Sequence, residues 1–304
     1  MKLESDVFGV TFQNPVLLAA GTCGFGMELT DVLDLEALGG FVTKSVTVEP
    51  RFGNPAPRVS EFDGGMINSV GLANPGLEAT RRDKLPWLAR NVRRARVFVS
   101  VAGHTVEEFF TLVEGMDGAD GFLGFELNLS CPNDRDRAGL PFALDPAQVD
   151  EIVAGCRART ARPLLAKLAP NDVRLAVTVR TATDAGADGL TLVNTMPGLL
   201  LKPEDGTSVI GAGQGGVSGP ALRPSGLRAV REARAHTHLP LLGVGGVACA
   251  EDAVAYARAG ARLVQIGTAS FALPTTGPRV VRDLARWGRK HGIPSWKDLQ
   301  LVEA

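Results

Sequence analysis

"PLLAKLAPNDVRLAVTVRTATDAGADGLTLVNT", residues 163–195, holds one complete structural unit. Residues 163–170 form a short apolar run, 172–186 place apolar residues at helical spacing, and 189–195 turn apolar again. The junction "GADGL" (186–190) closes the helix with a glycine and starts the next strand at once. Strands apolar on both faces belong to a parallel sheet covered by helices. Working outward, the same kind of run recurs at "VLLAAGT" (16–22), "GFVTKS" (40–45), "VFVSVAG" (97–103) and "GFELNLSC" (124–131) before it. After it come "PLLGVGG" (240–246) and "RLVQIGTA" (262–269), and "GARL" (260–263) repeats the glycine junction. Eight strands alternating with helices in 304 residues predict a closed α/β barrel, the (β/α)8 or TIM barrel. An open doubly wound sheet ranks second, because no dinucleotide fingerprint follows any strand. Two connections are long, 46–96 after the second strand and 196–239 after the sixth, and read as functional loops. Residues 1–12 predict a short N-terminal hairpin under the barrel, and 1–304 a single domain.

Composition narrows the function. The chain is 45% apolar and 21% charged with a net charge of −1, which provides no field for nucleic acid or an anionic membrane. Thirty-six glycines and 19 prolines suit many tight strand-to-helix turns. No signal-like segment and no long apolar span is found, so a cytoplasmic protein is expected. Cys23, Cys131, Cys156 and Cys249 are scattered without a C-x-x-C pair. That pattern argues against disulfides, zinc or an iron–sulfur cluster on this chain. His236 and His238 fall in an expected surface turn and are not read as metal ligands.

Barrel chemistry sits at the C-terminal ends of the strands. Here those ends carry Gly21–Thr22, Lys44–Ser45, Ser100, Asn128 with Cys131, Lys167, Asn194–Thr195, Gly245–Gly246 and Gly267–Thr268. Cations, amides, hydroxyls and bare backbone predict a polar, ligand-filled mouth. The glycine pairs after strands seven and eight predict a phosphate cradle. Lys44 and Lys167 lie near the ends of apolar strands, where a lysine is costly unless paired, so each reads as an ion-pair partner or as a cation facing an anionic ligand. Cys131 ends the fourth strand between Asn128 and Asn133. It reads as a small buried apolar residue or as a reactive thiol acting as base; its place at the mouth favours the base. The loop "DRDRAGLP" (134–141) is polar and suits a lid, and Cys23 is close enough to the first strand end to approach the mouth. The arginines 279, 282, 286 and 289 read as the solvated face of the last helix.

The motifs "TKSVTVEPRFGNPAPR" (43–58), "NSVGLANPG" (68–76), "ELNLSCPN" (126–133), "VNT" (193–195), "GGVSGP" (215–220), "GVGG" (243–246) and "IGTA" (266–269) occur in the order seen in class 1 dihydroorotate dehydrogenases. The chain resembles that family over essentially its whole length. The resemblance implies FMN as cofactor and dihydroorotate as substrate, oxidised to orotate in pyrimidine biosynthesis. It implies that Cys131 is the base, that Lys44 serves both catalysis and binding between flavin and substrate, and that Asn68, Ser69, Val70, Gly71 and Leu72 grip the pyrimidine. Asn128 then contacts flavin and substrate, and Asn194 and Thr195 close over the substrate. Ala20, Gly21, Ser45, Ser100, Lys167, Val193, Gly219, Gly245, Gly246, Gly267 and Thr268 fall at positions that bind FMN. The text around "KSVTVEPRFGNPAPR" resembles the NAD-linked heteromeric subclass, 1B. That implies a homodimer or a heterotetramer with a partner subunit carrying FAD and an iron–sulfur (2Fe-2S) cluster. Ala20 stands where the family usually has serine, Cys23 where an aromatic is usual, and Ser100 where asparagine is common; "GAGQGG" (211–216) is unusually glycine-rich. A dihydropyrimidine-type oxidoreductase, a fumarate-linked 1A enzyme and a non-redox phosphate-binding barrel are the alternatives.

Overall fold

Each apolar run becomes a strand: β1 (Val16–Leu18), β2 (Gly40–Val42), β3 (Arg96–Val101), β4 (Gly124–Asn128), β5 (Leu164–Leu168), β6 (Gly189–Leu192), β7 (Leu241–Val244) and β8 (Leu263–Ile266). The computed structural model describes residues 1–130 and 141–299. In it every strand pairs in parallel with its neighbours in sequence, and β8 pairs with β1 to close the barrel. Helices α1 (Leu85–Asn91), α2 (Val106–Asp117), α3 (Pro146–Arg157), α4 (Leu175–Asp184), α5 (Arg223–Arg234), α6 (Ala250–Ala259) and α7 (Thr276–Lys290) follow the strands from β2 onward. Their starts carry local signals. Thr105 Oγ1 accepts from Glu108 N ahead of α2, and Asp145 Oδ1 accepts from Ala147 N ahead of α3, whose first residue is Pro146.

The first connection departs from the expected alternation. Between β1 and β2 lie only two 3-10 turns, Met27–Leu29 and Leu35–Ala37. Gly24 and Gly26 there adopt φ of 56° and 89°, a left-handed backbone that interrupts a right-handed helix.

The N-terminal hairpin forms as expected, Ser5–Val7 pairing antiparallel with Val10–Phe12. Val7 and Phe12 join Leu17, Val42, Phe98, Leu165, Leu242 and Leu263 in one apolar cluster, and Phe8 meets Phe98 edge to face at 5.7 Å. The barrel is thereby plugged by side chains from one end. Two residues beyond Leu165 the interior turns polar at Lys167, and the open end is left for chemistry.

The two long connections are not unstructured loops. They pair with each other in a four-stranded antiparallel sheet, ordered Met196–Gly198, Gly215–Ser218, Gly65–Asn68, Val59–Phe62. Asn68, at the edge of the cleft described below, is thus paired in register with Gly216 of the other connection. Among the described residues no helix is long and apolar enough to cross a membrane.

Candidate active site

At the C-terminal ends of the strands, between barrel and antiparallel sheet, lies a cleft of about 960 Å³ counted to its open rim. Ala20, Gly21, Lys44, Ser45, Asn68, Val70, Gly71, Leu72, Asn128, Lys167, Val193, Asn194, Thr195, Gly267 and Thr268 all line it. Sequence reasoning therefore brought residues from seven connections or strand ends to one surface. Met66, Val59, Ser218, Leu222 and Phe271 also line the cleft and were missed. Phe271 and Val59 are about half exposed, an apolar rim with no sequence signature.

Five expected residues stand behind this wall. Ser69 is buried and accepts from Asn54 Nδ2 at 2.7 Å. Ser100 is fully buried, its hydroxyl 2.8 Å from that of Ser45. Gly219, Gly245 and Gly246 adjoin the Ser218–Thr268 end, where Thr268 Oγ1 donates to Ser218 Oγ at 2.7 Å. Cys131 and residues 132–140 of the expected lid region lie outside the described residues.

The wall is one hydrogen-bonded chain. Asn194 Nδ2 donates to Asn128 Oδ1 at 3.0 Å and meets Ser130 at its hydroxyl (3.0 Å) and carbonyl (3.2 Å). Asn128 Nδ2 donates to Ser45 Oγ at 3.3 Å, and Ser45 in turn meets Ser100. Ends of β2, β3, β4 and β6 are thereby tied side to side. Each asparagine offers both a donor and an acceptor, so the chain fixes amide orientation at the cleft surface.

Beneath it lies a buried charge pair. Lys167 Nζ sits 3.4 Å from Glu126 Oε1, with both side chains withdrawn from solvent. Thr191 Oγ1 and Gln265 Nε2 donate to Glu126 Oε2 at 2.9 and 3.1 Å. The ion-pair reading of Lys167 holds, and the residue also lines the cleft. The carboxylate that pairs it came from β4, two residues before Asn128 on the same inward face.

The segment 68–72 is held from behind. Arg58 Nε donates to Asn54 O at 2.6 Å, Asn54 N to Val70 O at 3.0 Å and Ser69 N to Arg58 O at 2.8 Å. Leu72, lining the cleft, has φ 56° immediately after Gly71 at φ 72°. A left-handed leucine costs on the order of 1–3 kcal/mol and persists only where its surroundings fix it, a frequent mark of ligand-facing loops.

The other cysteines do not compete for chemistry. Cys23 is buried, with Sγ 3.3 Å from Val42 O, and burial pushes its thiol up to about 12. It packs against the strand rather than reaching the mouth. Burial likewise raises Cys156 to about 12 and Cys249 to about 11. At pH 8 an ordinary thiol near 8.5 has a few hundredfold more thiolate than Cys249 and on the order of a thousandfold more than Cys23 or Cys156. Native protein treated with iodoacetamide at pH 8 is therefore expected to carry label on Cys131 first, read by peptide mass spectrometry. Labelling of Cys23 or Cys156 at an equal rate would refute this assignment of the reactive thiol. His236 Nδ1 is 3.2 Å from Arg180 Nη1, and no metal-binding cluster occurs among the described residues.

A flavin fits such a wall. At Gly21 an added Cβ would meet nothing within 4 Å, and at Gly267 only Ala19 at 3.9 Å, so bare backbone faces open space there. Amides, hydroxyls and Lys167 supply partners for a heteroaromatic ring system with polar edges.

Comparison with known proteins agrees. The family profile described as "Dihydroorotate dehydrogenase" matches residues 2–287. The catalytic subunit of dihydroorotate dehydrogenase B (NAD(+)) from Pelobacter propionicus is 41% identical over 97% of this chain and 96% of its own. That from Desulforudis audaxviator is 43% identical over 98% and 96%. A Solibacter usitatus protein provisionally named dihydroorotate dehydrogenase A (fumarate) is 41% identical over 98% and 97%. The solved structure of a dihydroorotate dehydrogenase from Eimeria tenella in complex with ferulenol superposes with a TM-score of 0.82, covering 98% of this chain and 87% of that one. At 24% identity it supports the fold alone.

Proposed function

Since the chain belongs to the dihydroorotate dehydrogenase family, and oxidises dihydroorotate to orotate in pyrimidine biosynthesis, we propose how its residues divide that reaction. The observation that carries the reading is the single wall joining Asn194, Asn128 and Ser45 beside Lys44 and Lys167. Oxidation of dihydroorotate removes a proton from C5 and a hydride from C6. Bound FMN supplies the two-electron acceptor for that hydride. Cys131, as thiolate, takes the C5 proton and becomes the neutral thiol. It directly follows Ser130, whose hydroxyl and carbonyl are held by Asn194 Nδ2.

Asn68, Asn128, Asn194 and Thr195 bind the amide and carbonyl edges of the pyrimidine, and Lys44 provides positive charge for its carboxylate and for the flavin. Val70, Gly71 and Leu72 shape the substrate side, with Ser69 holding them from behind. Ala20, Gly21, Lys167 and Val193 face the flavin ring, while Gly219, Gly245, Gly246, Gly267 and Thr268 take its phosphate. Ser100 acts on the flavin through Ser45. This chain works in the cytoplasm as a homodimer, or as a heterotetramer whose second subunit carries FAD and a 2Fe-2S cluster and passes electrons to NAD+. The names of the Pelobacter and Desulforudis relatives, each a catalytic subunit, support that partner.

One observation favours a second reading of the acceptor alone. The fumarate-named relative matches as well as an NAD-named one, at 41% identity. Adding dihydroorotate to the purified chain without oxygen is expected to bleach the flavin absorption; reoxidation by fumarate, set against NAD+ with the partner subunit, then separates the acceptors. A yellow protein bleached by dihydrouracil and not by dihydroorotate would overturn the substrate assignment.

A further inference from the structure

Helix α6 places Asp252 and Tyr256 one turn apart on the face turned to the loop after β7. Tyr256, the only tyrosine in the chain, is fully buried. Its hydroxyl donates to Gly245 O at 2.7 Å and also lies 3.2 Å from Val244 O. The space for it is made by two other glycines. A Cβ at Gly226 would fall 2.1 Å from the tyrosine oxygen, and one at Gly243 2.3 Å from the ring. Burial raises the phenol's pKa, so it stays a proton donor at any working pH.

The consequence follows from peptide planarity. The carbonyl of Gly245 and the N–H of Gly246 belong to one trans peptide, so they point in opposite directions. Holding Gly245 O toward the buried phenol aims Gly246 N–H away from the core. Both residues have positive φ, 125° and 70°, where an unpinned glycine peptide rotates freely. The rest of the loop is fixed in the same manner. Asp252 Oδ2 accepts from Ala248 N and Cys249 N at 3.0 and 3.2 Å, its other oxygen pairs with Arg223, and Arg279 Nη2 donates to Ala248 O at 3.2 Å. Arg279 is thus no mere member of a solvated stripe.

We propose that Tyr256 is a positioning residue that aims the Gly246 N–H at the phosphate of the bound flavin and so makes the site select FMN over unphosphorylated riboflavin. The inference rests on the FMN reading above and adds to it a residue outside the cleft. It is tested by preparing flavin-free protein and titrating it with FMN and, separately, with riboflavin, following flavin fluorescence. Wild type is expected to prefer FMN. Tyr256→Phe, which keeps the ring and removes only the hydroxyl, is expected to lose about tenfold in FMN affinity, as for one hydrogen-bonded group left unpaired, with riboflavin affinity unchanged within twofold. Gly226→Ala, which pushes the hydroxyl off its carbonyl, is expected to repeat that selective loss. Equal losses for both flavins, or none for either, overturn the proposal as a merely structural tyrosine would. Wild type binding riboflavin as tightly as FMN instead overturns the phosphate reading itself, and this proposal with it.

Discussion

Cys131→Ser is expected to slow reduction of the flavin by dihydroorotate by 10²–10⁴-fold near neutral pH, while the purified protein remains yellow. The magnitude is that of one positioned general base. A thiol titrates at about 8.5, so a few per cent is thiolate at pH 7 and a neighbouring cation increases that share. A serine hydroxyl is scarcely ionised anywhere in the working range. Flavin binding should survive, because the cofactor's expected partners, Ser45, Lys167 and the glycine pairs, are other residues. The pH profile supplies a second reading. In the native enzyme the bleaching rate should rise as pH climbs toward the thiol pKa and then level; in Cys131→Ser it should keep rising at high pH. Stopped-flow traces showing serine enzyme as fast as native at pH 7 would remove Cys131 from the proton transfer.

The residues around Ser130 bear on that result. Asn194 holds the hydroxyl and carbonyl of Ser130, the residue just before Cys131 in sequence, and also orients Asn128. On the proposed division of roles, one amide would serve both the substrate edge and the strand end and so couple binding to placement of the base. Substitutions at Asn194 are therefore expected to act on both, whereas Ser100, three contacts from Asn194 along the chain, meets the cleft wall through Ser45.

Much of this was legible in the sequence, for an identifiable reason. Apolar runs that must be buried on both faces leave little choice but a parallel sheet, and polar residues at their C-terminal ends mark the mouth. What stayed hidden depends on contacts between distant segments. Nothing in 59–68 or 196–218 alone announces that the two connections pair, since each strand is short and its partner lies over a hundred residues away. The glycine-rich run 211–216 looked like an anomaly. In place, Gly211 leaves room for the carbonyls of Pro55 and Ala56, and Gly215 for that of Asn68, where any Cβ would come within 2.7 Å. Ser100 in place of asparagine has a similar explanation: it is enclosed and bonded to Ser45. The sequence alone does not say what pairs Glu126; only the fold brings residues of four strands together at its carboxylate and its pair.

That convergence yields the second large effect. Lys167→Met is expected to destabilise the flavin-free protein by about 3–5 kcal/mol, the usual consequence of stranding one member of a buried ion pair. Glu126 is fully buried, and Thr191 and Gln265 would remain as its only named donors among the described residues. Two neutral donors do not compensate a carboxylate charge removed from water. A loss of that size lowers the melting temperature by on the order of 10 °C in a domain of this length. Glu126→Gln is expected to be milder, because it leaves an ammonium at the cleft wall, where ligand and solvent approach. The decisive comparison is the double variant. If the damage in Lys167→Met comes from an unpaired charge, adding Glu126→Gln removes the charge and should restore most of the lost stability. The coupling energy of the four-way cycle is then large and of compensating sign. Additive losses in that cycle, measured by thermal or denaturant unfolding of the flavin-free forms, would mean that the methionine fails through packing alone and that the pair contributes nothing as a pair.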